Sequence, residues 1–128
     1  MAAATKYALI ATGATTNQTG AGVETTNIVE DAQIAHQLVV EAVGATPAIT
    51  WKIQGSLDNA NWYDCVYYTD ANDTSAVAAR TGPTAAGAQV QWLDSGNSSR
   101  MYRYWRAVIS GITNTTYRVE MYAFNIPR

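Results

Sequence analysis

Ile49-Thr50-Trp51-Lys52-Ile53-Gln54-Gly55-Ser56-Leu57 decides the fold. Trp51, Ile53 and Leu57 fall on one side of an extended chain, and Thr50, Lys52, Gln54 and Ser56 on the other. This period-2 alternation is the signature of a strand with one buried face. Asp58-Asn59-Ala60-Asn61 follows, a turn by composition. Trp62-Tyr63-Asp64-Cys65-Val66-Tyr67-Tyr68-Thr69 then supplies aromatic and β-branched residues. Residues 49–69 therefore read as a β-hairpin.

The same reading extends in both directions. Upstream, Gln33 to Ala42 puts Ile34, His36, Leu38 and Val40 on one face. Tyr7–Ala11 and Val23–Val29 are weaker strand candidates. Downstream, Gln89–Asp94 is a short strand and Ser95–Ser99 a turn. Met101–Ile109 is the strongest strand, Ser110–Asn114 turns the chain, and Thr116–Phe124 closes the domain with Tyr117, Val119 and Met121 on one face. Asp70–Gly87 is a long polar loop containing Gly82-Pro83. No segment forms an amphipathic helix. The expected architecture is all-β: a single antiparallel β-sandwich, jelly-roll-like, of about eight strands. Residues 1–30, rich in Ala, Thr and Gly, are expected to be an N-terminal arm or edge segment, and residues 31–128 the β-sandwich domain.

Composition narrows the function classes. The chain has 128 residues, 48% hydrophobic and 14% charged. It is one domain's worth of chain and can build a core. Its polar surface rests on 16 threonines and 8 asparagines more than on charge. The net charge of −2 gives no electrostatic footprint for nucleic acid. No stretch approaches the length of an apolar membrane span, and Met1–Lys6 followed by the short run Tyr7–Ala11 does not form a secretory signal. Four Asn-x-Ser/Thr triplets, starting at Asn17, Asn72, Asn97 and Asn114, then belong to an Asn/Thr-rich surface.

Candidate chemistry is sparse. A nucleophile pair would need Cys65 with His36, the only Cys and His, and nothing in the sequence brings them together. No zinc spacing occurs. Asp58, Asp64, Asp70, Asp73 and Asp94 are possible members of an acid pair, and turn capping accounts for them equally. Asp70-Ala71-Asn72-Asp73 has calcium-compatible oxygens without the glycine and distal glutamate of an EF-hand loop. The expectation is no enzyme, no cofactor and no metal. Trp51, Trp62, Trp92 and Trp105 are expected in the core. If Trp105 and Ile109 face inward, Tyr102, Tyr104 and Arg106 lie outside. With Tyr122 they form the candidate partner-binding set, since exposed Tyr and Arg are enriched at interfaces. Tyr102, Tyr104 and Tyr122, or Tyr67 and Tyr68, also suit sugar stacking.

The run Trp51–Trp62 with Tyr102–Ile109 resembles the hairpin of small β-sandwich proteins of tailed bacteriophage particles, namely head decoration (cement) proteins and some tail-associated modules. It is also similar to the hairpin of discoidin-like carbohydrate-binding jelly rolls. The resemblance spans roughly residues 34–124. It implies a virion protein that binds the major capsid protein at subunit junctions, often as a trimer. Such a protein is made in the host bacterial cytoplasm and resides on the capsid surface, with no nucleic-acid or membrane partner. A tail or neck module and a carbohydrate-binding module are the alternatives.

Overall fold

A computed structural model describes residues 3–25, 33–65, 67–68, 76–77, 79–92 and 102–125. Ten strands appear in chain order: β1 (Ala3–Ala14), β2 (Gln18–Thr19), β3 (Val23–Glu24), β4 (Gln33–Ser56), β5 (Tyr63–Cys65), β6 (Tyr67–Tyr68), β7 (Ala76–Val77), β8 (Arg80–Thr81), β9 (Gly87–Trp92) and β10 (Tyr104–Asn125). Eight of them form one antiparallel sheet, and β6 and β7 form a separate two-stranded ladder. The all-β expectation holds. Among the described residues one sheet curls on itself as a half-barrel, which does not confirm the expected sandwich or jelly roll.

The difference comes from two strands much longer than their sequence punctuation implies. Gln33–Ala42 and Ile49–Leu57 are expected as separate strands, as are Met101–Ile109 and Thr116–Phe124. Instead β4 runs for 24 residues and β10 for 22, paired along nearly their full length. Where turns were expected, the strands crease. Val43 pairs with Thr115 and Ala48 with Thr113, so four residues of β4 face Asn114 alone. Thr46 and Asn114 both have φ of 44°, and the Asn114 side-chain amide donates to the Ala45 carbonyl. Between Ser110 and Thr113 a second irregularity adds one residue to β10. Extra residues of this kind bend a strand and raise its twist.

The crease divides the sheet into two legs. In the lower leg, residues 33–43 pair with 115–124, flanked by β1 and β9. In the upper leg, residues 48–56 pair with 104–113, flanked by β2, β3, β5 and β8. Their inner faces meet. Ile34, Leu38, Val40, Tyr117, Val119 and Met121 of the lower leg share one buried cluster with Ile49, Trp51, Ile53, Trp105, Ala107 and Ile109 of the upper. The His36 and Trp105 rings, one from each leg, lie 5.4 Å apart. Thus the inward sets expected from alternation are the core. Leu57 is the exception: it sits past the end of β4 and is 60% exposed.

The N-terminal residues lie along β10 as edge strands. Ala3 faces Asn125, and the pairing runs to Ala14 opposite Tyr117. A register shift between Ala8 and Ile10 lets both Leu9 and Ile10 enter the core. The chain then crosses from the lower leg to the upper at Thr15–Asn17. The buried Tyr117 holds this corner: its hydroxyl donates to the Thr16 carbonyl at 2.7 Å and accepts from Gln18 Nε2 at 3.1 Å. Tyr117→Phe keeps the ring and removes both bonds. We expect a loss of about 1–2 kcal/mol in chemical denaturation, with no change in the rest of the core; a neutral result would show that the corner holds without the hydroxyl.

Candidate partner-binding surface

The turn that ends β4 builds the first part of the surface. The Ser56 hydroxyl donates to Asp58 Oδ1 and accepts from the Asn59 amide at 3.0 Å. Asp58 then accepts from the Ala60 and Asn61 amides and from the Asn61 side chain. Asn59 takes a left-handed φ of 60°, which Asn tolerates. These donors, the Asn61 and Ala60 amides foremost, hold the Asp58 carboxyl well below the usual range. The turn satisfies itself and delivers Trp62 at its end.

Trp62 lies on the outer face and is only partly buried, against the expectation of a core residue. Counting back from the buried Cys65 by twos reaches Tyr63, so Trp62 and Asp64 fall on the outer side. The indole reaches across the upper leg to Gly22, where a Cβ would stand 2.9 Å from its ring. Arg106 packs on this indole, with Cζ 4.2 Å from the ring centroid. Its Nε donates to Gln54 Oε1 at 2.8 Å. Gln54 Nε2 in turn donates to Asp64 Oδ1 at 2.9 Å, and Lys52 pairs with the same oxygen at 3.1 Å. The Gln54 hydrogen bond, with the nearby Lys52 ammonium, keeps Asp64 below its ordinary pKa.

Tyr104 shares this outer face, two residues before Arg106, and pairs across β3 with Glu24. A hydrogen bond to Glu24 raises its phenol pKa. Glu24 also pairs with Arg103 at 3.0 Å. Tyr102 leaves the set: its ring lies over Gly55 on the inner face, where an added Cβ would stand 2.4 Å from Cγ. It meets Trp105 edge-on at 5.6 Å between ring centroids. A glycine in the inward row of β4 opens the slot that admits it. Tyr122 lies on the lower leg, opposite Lys6 and Ala35. The structure therefore brings Tyr104 and Arg106 together and adds Trp62 to them. It does not gather Tyr102, Tyr104 and Tyr122 on one platform. The Tyr67 and Tyr68 side chains, Trp92, Asp70–Asp73 and Asp94 lie outside the described side chains.

The lower leg's outer face is closed by its own charges. Glu120, although outward-facing, is 3% exposed. Lys6 Nζ reaches it at 2.6 Å, Gln37 Nε2 at 3.2 Å and Arg118 Nε at 3.4 Å. Burial alone raises its pKa; these bonds outweigh burial and hold it below the ordinary value. Glu41 bonds Thr12, the Gly13 amide and Arg118. A shallow groove of about 450 Å³ lies at the crease, lined by uncharged residues including Thr15, Val43, Gly44, Asn114 and Thr116.

The two reactive side chains considered from sequence sit in the core. Burial, with the Asp64 charge nearby, pushes the Cys65 thiol up to about 12, so it stays protonated at neutral pH. His36 is fully buried and neutral. Its two ring nitrogens and both polar atoms of Gln91, its register partner on β9, have no hydrogen-bond partner among the described residues.

No protein-family model and no curated protein sequence matches the chain. Among solved structures, the crystal structure of the SPBc2 prophage-derived protein YomS is similar, with a TM-score of 0.62 at 10% sequence identity. The likeness covers 98% of this chain and 96% of that one. At that identity it establishes a shared fold.

Proposed function

We propose that this chain is a non-enzymatic structural protein of a phage virion, and that it decorates and stabilises the capsid at junctions between major capsid subunits. The observation that carries the reading is the end-to-end fold likeness to a prophage-derived protein, since nearly the whole of each chain takes part. The surface supports it. A decoration protein acts through contact area, and an aromatic–guanidinium patch on a rigid sheet is the composition of a protein-binding face. The upper leg carries this patch of Trp62, Tyr104 and Arg106, so it is the face that meets the capsid. Self-association as a trimer belongs to the same proposal.

Quantitative mass spectrometry of phage particles from the source culture tests it. The expected result is a copy number in fixed proportion to the major capsid protein, and capsids that rupture at lower temperature when the protein is stripped. A few copies per particle would place it in the tail or neck instead. Absence from particles would overturn the virion reading.

A further inference from the structure

Arg106 differs from its neighbours in how its charge is met. Among the described residues, Lys6, Lys52, Arg103 and Arg118 each pair with a carboxylate. Arg106 does not. Its interactions are the single Nε bond to Gln54 and the stack on Trp62. The Nη1 and Nη2 donors and the Trp62 indole N–H have no partner among the described residues. Yet the guanidinium is fixed. Gln54 is itself anchored by Asp64, Asp64 by Lys52, and Trp62 is set by the Ser56–Asp58 turn. A held guanidinium with free terminal donors has already lost the side-chain freedom that binding would otherwise remove.

The nearby carboxylates are all engaged elsewhere: Glu24 with Arg103, Asp64 with Lys52 and Gln54, Asp58 within its turn. The Glu24–Arg103 and Asp64–Lys52 pairs cancel one another's charge, and Arg106 is left as the guanidinium of this face without a carboxylate partner among the described residues. The face therefore offers no cationic patch for a polyanion, only one guanidinium for one compact negative group. We propose that Arg106 and Trp62 form a preorganised receptor for the carboxylate of an acidic side chain on a protein partner. The carboxylate accepts from both terminal nitrogens of Arg106 in the bidentate fork, and the indole N–H supplies a neighbouring donor. This deepens the contact-surface reading above and rests on it.

The test is an NMR titration of the intact protein with an acetylated, C-terminally amidated Gly-Gly-Glu-Gly-Gly peptide, following the Trp62 indole N–H and Arg106 Nε–H resonances. Saturable shifts of both are expected. Arg106→Gln abolishes them. Arg106→Lys weakens binding at least about tenfold, because an ammonium lacks the planar fork and the stack. Arg103→Gln removes the same charge from a guanidinium already paired, and leaves the titration unchanged. Silent resonances, equal shifts in Arg106→Gln, or equal loss in Arg103→Gln would overturn the receptor. Tighter binding of inorganic phosphate than of the peptide would overturn the carboxylate assignment. Peptide binding by a protein absent from particles would keep the receptor and refute the virion role; a particle-bound protein with a silent Arg106 would do the reverse.

Discussion

As pH falls below 6.5, the protein is expected to lose stability at about 1.4 kcal/mol per pH unit, and His36 is the cause. Burial pushes the His36 imidazole down from 6.5 to about 3 in the folded chain. The unfolded chain binds a proton there at about 6.5, and the folded chain does so only near 3. Stability is therefore complete above pH 6.5 and declines as pH drops from 6.5 towards 3. The groups facing His36 do not soften this. Gln91 opposes it from β9, and Met121 and Trp105 from β10. Tyr7 on β1 and Cys65 on β5 border the same core, and the Cys65 thiol, raised by burial, carries no charge at these pH values. Glu41, Asp64 and Glu120 also have lowered pKa values, but their contribution is lost only at more acid pH, below about 4.5. Between pH 6.5 and 4.5 the loss belongs to the chain's one histidine, and amounts to about 3 kcal/mol. Denaturation midpoints across this range measure it. His36→Leu is expected to flatten the profile above pH 4.5. A slope that survives the substitution would refute the assignment.

Removing Trp105 is expected to cost more than any other single change at the meeting of the two legs. The residue is fully buried, packs against His36 of the opposite leg and against Tyr102, and its indole N–H donates to Thr25 Oγ1 at 3.2 Å. Trp105→Ala loses the transfer energy of a large ring and leaves a cavity that the bent sheet closes only in part. A loss of about 3–5 kcal/mol follows. Trp62→Ala, from the partly exposed outer face, costs about 1 kcal/mol or less. Equilibrium unfolding of the two variants side by side decides the point. Equal losses would mean that Trp105 does not join the legs.

Alternation made the inward residues legible before the structure. Ile34 to Val40, Trp51 and Ile53, Trp105 to Ile109 and Tyr117 to Met121 are the core because strand pleating leaves them no other side. The curl was hidden. Gly44-Ala45-Thr46-Pro47 and Ser110-Gly111-Ile112-Thr113-Asn114 carry turn-type residues, which reverse a chain or merely crease it. The partner strand decides which, since each segment is held extended by the other across some 70 positions of sequence. Part of the candidate surface is legible in the sequence. Tyr104 and Arg106 follow from the inward placement of Trp105. Trp62 is not legible there, because its bulk implies burial, whereas parity from Cys65 places it outside. Tyr102 was misplaced because its slot is an absence, the missing side chain of Gly55.

The long strand β10 borders β1, β2, β3 and β4, and it follows all four of them in the chain. During synthesis, the segments that become β1 to β3 emerge with apolar residues such as Leu9, Ile10 and Val23 and have no ladder to join. Ala4 waits for Phe124. Closure over such separations is slow compared with local hairpin formation, and unpaired edges are sticky while they wait. The β4–β5 hairpin pairs residues close in the chain and needs no part of β10. The sheet then zips onto β10 in one late step, which makes the nascent chain, more than the finished protein, the species exposed to aggregation.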